Sequence, residues 1–302
     1  MSVQYCLSEF SIDDDIFEIF ESVSSVVVDV PWKLCISSPI EEKLLKESCF
    51  QSYETKIKSE LSKRNIIGNC TTCQVKCRVS DNGFSLKIIV DKVPVLHCLF
   101  LGLDQLENNE NQQNTINTRS RKKYKSFTLL LIHGKKMYEK TMLPFVENLL
   151  SCHVTSLLLS IRDYQWILTI TSHFINSSSV FDNLLHFIYK HPSNVSKKHK
   201  LIMCVEFEKV LALWNDIFNK FKISEGTISS GMSEKLKAST LEHFQNIFTI
   251  DLSKLTLSEI HVEDIMKVQV NVTSAVICIE NKEIAPALLY FLFVMSYNQQ
   301  SW

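Results

Sequence analysis

Two segments alternate apolar and polar residues on either side of a polar turn, and this pattern constrains the fold more than any other. From Thr72 the alternation runs to the turn at Asp81–Gly83 and resumes in FSLKIIV, which is typical of a β-hairpin. The segments LLHFIY and KLIMCVEF flank the polar stretch KHPSNVSKKH and predict a second hairpin. Because hairpins pair their strands antiparallel, we expect mainly antiparallel sheets.

Other segments repeat apolar residues at helical spacing or indicate further strands. VVVDVPWKLCI has strand composition, and Ser38 followed by Pro39 predicts a helix start just after it. Strand and helix patterns follow one another without regular βαβ alternation, so the predicted class is α+β, with packed helices on mainly antiparallel sheets. The predicted first helix carries one apolar stripe, formed by Leu45, Cys49, Tyr53, Ile57 and Leu61.

A polar segment interrupts the apolar pattern between Leu103 and Lys125. It has too few apolar residues to offset the entropy of ordering, so we expect a disordered polar and basic loop there. This predicts an N-terminal α+β domain at 1–102 and a C-terminal α+β domain with the partner-pairing sheet at 126–302. The acids Asp13 to Asp15 are interpreted as part of a solvated tail.

The charge of the chain excludes a global attraction to nucleic acid or membrane. Its 302 residues carry a formal net charge of −1 and have a pI near 6.8. The N-terminus has acids where a signal peptide or presequence has basic residues, so we do not expect export. The apolar run Ile284–Met295 is shorter than the roughly 20 residues of a spanning helix and predicts a buried helix.

Three cysteines in nine residues, NCTTCQVKC at 69–77, raise the question of a metal site. Cys73 and Cys77 fall with Val75 on one face of the predicted strand, about 13 Å apart. Thiolates that share a zinc ion lie within about 4 Å of each other. Core thiols are therefore the favoured interpretation and a metal site is the alternative. We expect free thiols in a reducing compartment and no cofactor.

No enzyme motif survives its context test. GTISSGMS at 226–233 has the glycine spacing of a phosphate-binding loop, but Met232 replaces the essential lysine. LIHGKK at 131–136 has the HG of an oxyanion loop, but the chain contains no G-x-S-x-G. The nine histidines show no metal-ligating spacing. The sequence predicts a protein without enzymatic activity, and a hydrolase or transferase with a dispersed active site is the alternative.

Two basic clusters are candidates for nuclear import or for contact with DNA phosphates. Solvated loop charge is the alternative interpretation of both clusters. The first comprises Arg119, Arg121, Lys122, Lys123 and Lys125, and the second comprises Lys197, Lys198 and Lys200.

An alternating strand near the C-terminus is the candidate surface for a partner. Its apolar row is typical of a strand with one buried and one wet face, and its backbone edge is predicted to accept a strand from another chain. The alternative is that the row packs on the helix at 284–297. The candidate partner-binding residues are Met266, Val268, Gln269, Val270 and Val272.

The order and spacing of five stretches resemble the centromere protein L family, whose members belong to the constitutive centromere-associated network of the inner kinetochore. The short acidic N-terminus differs from the longer basic tail of that family. The stretches are PWKLCISSPI with the helix around FQSYETKI, CHVTSLLLSIRDYQWIL, FEKVLALWNDIF, LEHFQNIFTIDLSKLTLSEI and AVICIENKEIAPALLYFL.

The resemblance implies a non-enzymatic structural subunit in the nucleus, at the centromere. It implies a heterodimer with centromere protein N through sheet edges, and binding to centromere protein C and other inner-kinetochore subunits. It further implies that the complex helps enclose DNA beside the centromeric nucleosome. Neither a membrane nor a small-molecule substrate is expected.

Overall fold

The computed structural model of the chain consists of helices and mostly antiparallel strands, which confirms the predicted α+β class. No described helix is long and apolar enough to cross a membrane. The structure describes residues 7–64, 72–80, 82–103, 124–125, 127–175, 182–190, 200–221, 227–248, 255–271 and 273–300.

Strands and helices are interspersed along the whole chain. The first elements are β1 (Glu9–Phe10), α1 (Asp14–Val27), β2 (Trp32–Ser37), β3 (Ile40–Glu41), a 3₁₀ helix (Glu42–Leu45), α2 (Glu47–Lys63), β4 (Cys73–Ser80), β5 (Gly83–Val90), β6 (Val93–Leu101), β7 (Tyr124–Lys125), β8 (Leu129–Gly134) and α3 (Lys136–Leu150). The remaining elements are β9 (Val154–Ser156), α4 (Ile161–Phe174), β10 (Leu184–Lys190), β11 (Lys200–Glu206), α5 (Phe207–Phe221), β12 (Ile228–Ser229), α6 (Ser230–Phe248), β13 (Thr256–Val262), β14 (Met266–Asn271), β15 (Ser274–Ile279) and α7 (Ala285–Gln299).

Two compact units divide the chain, and their limits differ from the predicted domain boundary at 103–125. That boundary falls inside one unit, because β6 and β8 on either side of it pair with each other. The polar composition of the segment therefore marks an interruption of the apolar pattern and not a division between units. The first unit comprises residues 1–32 and 158–294, and the second comprises residues 33–157 and 295–302.

The sheet of the second unit has the strand order β2, β8, β6, β5, β4, with β9 also paired to β2. The predicted hairpin is confirmed, since β4 and β5 pair antiparallel from Cys73↔Val90 to Ser80↔Gly83. Helices α2 and α3 bury residues four apart in one hydrophobic core that also contains alternate residues of β5, as their periodicities require. These core residues are Tyr53, Ile57, Leu61, Met142, Val146, Leu150, Phe84, Leu86, Ile88 and Val90.

The sheet of the first unit has the strand order β11, β10, β13, β14, β15, and all four of these pairings are antiparallel. The second predicted hairpin is confirmed as β10 and β11. The predicted buried helix is confirmed as α7, in which Leu288, Phe291 and Leu292 are fully buried. A helix that is apolar all round has no face suited to solvent.

Two predictions near the N-terminus are wrong. The predicted acidic tail forms α1, in which Phe20 and Val27 are buried and Asp14 and Asp15 occupy the favourable first turn. The strand predicted from Val26 begins only at β2, because the helix continues through Val27.

Ser38 does not cap a helix, contrary to the sequence prediction. Its hydroxyl accepts a hydrogen bond from the backbone N–H of His153 at 2.9 Å, and its own N–H donates to the carbonyl of His153. These bonds hold Ser38 beside an extended segment, so α2 begins only at Glu47. Helix α3 begins at Lys136 and runs through Pro144 without interruption.

Candidate partner-binding edge

The predicted docking strand lies in the interior of its sheet. β14 pairs with β13 from Glu259↔Gln269 to Val262↔Met266, and with β15 over its whole length. Because both sides of its backbone are used, β14 has no edge that could accept another strand. The prediction of an open edge at Gln269 is therefore wrong.

The side chains of β14 are engaged within the first unit. Met266 and Val268 are completely buried, and Val270 is half-buried. The amide of Gln269 donates to the carboxylate of Glu259 at 3.0 Å. The apolar side chains of Met266 and Val268 are therefore not available to a partner, while Val272 lies outside the described residues.

The strand at the end of this sheet is β11. It pairs with β10 from Leu184↔Glu206 to Lys190↔Lys200, and the described part of the chain places no strand on its other side. The N–H of Phe207 donates to the carbonyl of Asn183 on the β10 side. Successive N–H groups of an antiparallel strand point alternately toward and away from the neighbouring strand. Because the N–H of Phe207 points toward β10, the N–H groups of Ile202 and Cys204 point away from it. We call β11, Lys200–Glu206, the open edge.

The two faces of the open edge differ in polarity and burial. Met203 points into the core and is 3% exposed, whereas Ile202 is 54% exposed on the other face. Ile202 lies opposite the half-buried Ile188 of β10, so two isoleucines form an apolar patch beside the unpaired backbone. An uncovered strand with an exposed β-branched residue is a template for pairing with another chain.

Only two of the predicted basic residues lie in the described part of the chain. Lys200 is exposed at the start of the open edge, opposite Lys190. Lys125 lies in β7 opposite Ile40 of β3 and is half-buried. Arg119, Arg121, Lys122, Lys123, Lys197 and Lys198 lie outside the described residues.

The cysteines at 73 and 77 lie on one strand, β4, as predicted. Both are half-buried with Val75 on the same face, and burial raises the pKa of the Cys77 thiol to about 11. Neither cysteine forms a disulfide. Among the residues that the structure describes, no group of three or more histidines, cysteines and acids is arranged to hold a metal ion.

An apolar cavity of about 270 Å³ lies in the first unit, between α4, α6 and the strands β10 and β13. Tyr164 lines it, and the Tyr164 hydroxyl is buried without a hydrogen-bond partner within the described residues. Burial raises the pKa of Tyr164. Lys237 lies in the wall of the cavity, and partial burial lowers its pKa. The cavity is suited to an apolar group rather than to acid–base chemistry.

A smaller, more polar cavity of about 160 Å³ lies at the start of α4. Its wall includes Arg162, Glu234 and Asp163, whose pKa is raised by burial. The Asp163 carboxylate already accepts the backbone N–H of Ser160 in a capping box. Of these two cavities in the described residues, neither is lined by a histidine or a cysteine. Neither cavity therefore supports the dispersed-active-site alternative.

An open sheet edge with an adjoining apolar patch is typical of proteins that act by binding other chains. The model of the family described as centromere protein L matches residues 32–269, so the chain belongs to the centromere protein L family. The resemblance found in the sequence is thereby confirmed. The chain is a centromere and kinetochore protein of the inner-kinetochore complex, in a family of structural components. No curated protein matches the chain.

Proposed function

We propose that the chain is a non-enzymatic structural subunit of the inner kinetochore that forms a heterodimer with centromere protein N. A strand of centromere protein N adds to the open edge, and the heterodimer helps link centromeric chromatin to the kinetochore. The observation that carries the proposal is the unpaired side of β11, with its outward N–H groups at Ile202 and Cys204. Family membership supports the kinetochore setting.

Strand addition accounts for both affinity and selectivity at such an edge. Main-chain hydrogen bonds supply affinity, and side chains at alternate positions supply selectivity. Ile202 is 54% exposed, and covering an isoleucine fully contributes about 1.5 to 3 kcal/mol. A partner strand with a β-branched or aromatic residue near Ile202 and Ile188 would therefore be favoured.

Proline at the open edge tests the pairing. Ile202→Pro removes an outward donor without removing a hydrogen bond to β10. We expect capture of co-expressed centromere protein N to fall at least roughly tenfold, because a ladder hydrogen bond and an apolar contact are both lost. Pull-down from the co-expressing cells measures this effect, with circular dichroism as the folding control.

The matched control is Val79→Pro on β4, the end strand of the second unit. The Asp91 N–H donates to the carbonyl of Thr72, and the alternation of donors then directs the Val79 N–H away from β5. Val79 is 40% exposed, so the two changes are similar in exposure and backbone direction. Capture should survive Val79→Pro. Full capture by folded Ile202→Pro protein would refute pairing at the open edge.

We further infer that the heterodimer binds centromere protein C and other inner-kinetochore subunits, and that it meets centromeric DNA or the nucleosome as part of that complex. The basic cluster from Arg119 to Lys125 is proposed to promote nuclear import, with at most an auxiliary phosphate contact. Changing its five basic residues to Ser should reduce nuclear accumulation and the salt dependence of DNA binding by the complex. If both are unchanged, the cluster is only solvated charge.

A further inference from the structure

Three chemically reactive side chains form a hydrogen-bonded series on the solvent face of the first unit. The thiol sulfur of Cys204 lies 3.1 Å from Nδ1 of His186, its cross-strand neighbour on β10. Nε2 of the same ring lies 2.9 Å from a carboxylate oxygen of Glu263, just after β13. The order of nucleophile, base and orienting carboxylate is the geometry that activates cysteine and serine nucleophiles.

The carboxylate fixes the tautomer of the histidine. Glu263 also accepts the backbone N–H of Leu184, and the bonds from His186 and Leu184 lower the pKa of Glu263, so it is ionised and only accepts. Nε2 of His186 must then carry the proton that it donates to Glu263. Nδ1 is left with a lone pair directed at the Cys204 thiol, where it can accept the S–H proton.

Neighbouring groups hold the imidazole in this orientation. The ring of His261 on β13 stacks on the His186 ring, with centroids 5.5 Å apart and an angle of 22°. Partial burial, with Lys267 and His186 nearby, lowers the pKa of His261, which favours the neutral form of its ring. Lys267 itself is paired with Glu259 at 3.0 Å.

Cys204 differs from the other described cysteines in its environment. It is exposed, whereas the other described cysteines are buried or half-buried. Cys278 on β15 lies in the same cross-strand row, through His186↔His261, His261↔Lys267 and Lys267↔Cys278, but burial raises its pKa. In the described residues, neither cavity includes any of the three side chains of the series. The arrangement therefore suits reaction with a small molecule from solvent and not turnover of a bound substrate.

We propose that Cys204 is a modification site, a thiol that His186 activates and Glu263 orients for oxidation by a peroxide. The sulfur attacks one oxygen of hydrogen peroxide while Nδ1 of His186 takes the thiol proton, and the O–O bond breaks. The departing hydroxide takes that proton from the imidazolium and leaves as water. The sulfur is oxidised by two electrons to a sulfenic acid and the peroxide is reduced. The inference uses the side chain of Cys204, whereas the pairing proposed for β11 uses its backbone N–H, so the chain without a partner tests the two separately.

Trapping of the sulfenic acid tests the site on the full-length chain. The folded protein is treated with hydrogen peroxide in the presence of dimedone, and mass spectrometry follows the adduct at each cysteine. We expect Cys204 to react roughly tenfold faster than Cys278, and His186→Gln to remove that advantage, at the low end of what a positioned base contributes. Glu263→Gln should slow the reaction of Cys204 a few-fold, because the tautomer is no longer held by a charge.

Unfolding provides the matched control within one molecule. In urea the series is lost, so the Cys204 rate should fall while the rates of buried cysteines such as Cys98 rise. The His186→Gln protein must retain the wild-type thermal midpoint and the wild-type rate at Cys278. Equal rates at Cys204 in wild type and His186→Gln, or a Cys204 rate that does not fall in urea, would overturn the proposal.

Discussion

In the described part of the chain, β11 is an end strand of the first unit and β4 is an end strand of the second, and the two strands present different side chains. The solvent face of β4 carries Gln74, Lys76 and Arg78, all exposed, and Lys76 lies opposite Lys87 of β5. The solvent face of β11 carries Ile202 and Cys204 in its middle. The edges are similar in length and pairing, so the difference between them is one of side-chain chemistry.

Charge is the usual protection of a sheet edge against unwanted strand addition. A strand that approaches β4 would have to desolvate lysine and arginine side chains, which makes pairing there costly. β11 carries charge only toward its ends, at Lys200 and Glu206, and leaves the central backbone beside apolar side chains. The comparison indicates that the side chains of β4 oppose strand addition more than those of β11 do.

The largest expected effect tests whether β11 is an edge at all. Gln269→Pro places proline between two paired strands and should lower the free energy of unfolding by about 3 kcal/mol or more. Ile202→Pro should cost clearly less, because no ladder bond within the chain is lost. Urea unfolding of the two variants measures the difference. Equal losses would mean that the backbone of β11 is used on both sides.

Acid should weaken the second unit through His97 on β6. Burial, with Lys87 and His133 nearby, lowers the pKa of His97 to about 4, whereas the unfolded value is near 6.5. The unfolded chain therefore binds the proton first, and the free energy of unfolding should fall by about 2 to 3 kcal/mol as the pH drops from 6.5 to 4.

The variant His97→Gln isolates this contribution of one histidine. It should flatten that part of the pH profile, measured by urea unfolding at successive pH values. In the wild-type chain the Ser85 hydroxyl lies 2.9 Å from Nε2 of His97. The glutamine side chain of the variant can replace the imidazole in this hydrogen bond. An unchanged pH slope in the variant would assign the acid sensitivity to other groups.

Sequence patterns predicted individual strands and helices more accurately than they predicted which strands lie side by side in the sheets. Both hairpins and the helices α2 and α7 follow from short-range periodicity, which a single chain displays directly. The order of strands in a sheet depends on contacts between distant segments, and alternation looks the same in a central strand and at an edge. The alternation at Met266 and Val268 therefore predicts an edge that the sheet does not have, while KLIMCVEF, an end strand among the described residues, shows only the pattern of a hairpin strand.

Sequence spacing also could not predict the series of Cys204, His186 and Glu263, because long-range strand registers bring its members together. His186 and Cys204 are 18 positions apart and Glu263 is 77 positions beyond His186, so no motif spacing joins them. The predicted hairpin could have indicated the contact between His186 and Cys204, because pairing LLHFIY with KLIMCVEF in one particular register brings these two residues opposite each other. The turn after β13 supplies the carboxylate, and its position is set only by the folded sheet.

Exchanging side-chain chemistry between the two edges should change binding more than stability. Ile202→Lys should weaken capture of centromere protein N about tenfold, roughly 1.4 kcal/mol, while the free energy of unfolding changes by less than about 0.5 kcal/mol. The converse change, Lys76→Ile with Arg78→Val, should make β4 prone to self-association at high concentration. Titration and analytical ultracentrifugation measure the two effects. If Ile202→Lys binds normally, the apolar patch is not the contact.

The smallest effect concerns the packing behind the β10 and β13 strands, next to the open edge. Tyr164→Phe removes a buried hydroxyl without a described partner, so it should raise the free energy of unfolding by about 1 kcal/mol. Thr169→Val is the matched control in the same cavity wall, because the Thr169 hydroxyl is hydrogen-bonded to the Gln165 carbonyl at 2.7 Å and to the Ser233 hydroxyl at 3.0 Å. It should lower the free energy of unfolding by about 1 kcal/mol or more, since Ser233 loses a partner. A loss of stability in Tyr164→Phe would mean that the hydroxyl has a hydrogen-bond partner in solution. The region behind the open edge would then hold no unpartnered hydroxyl at this position.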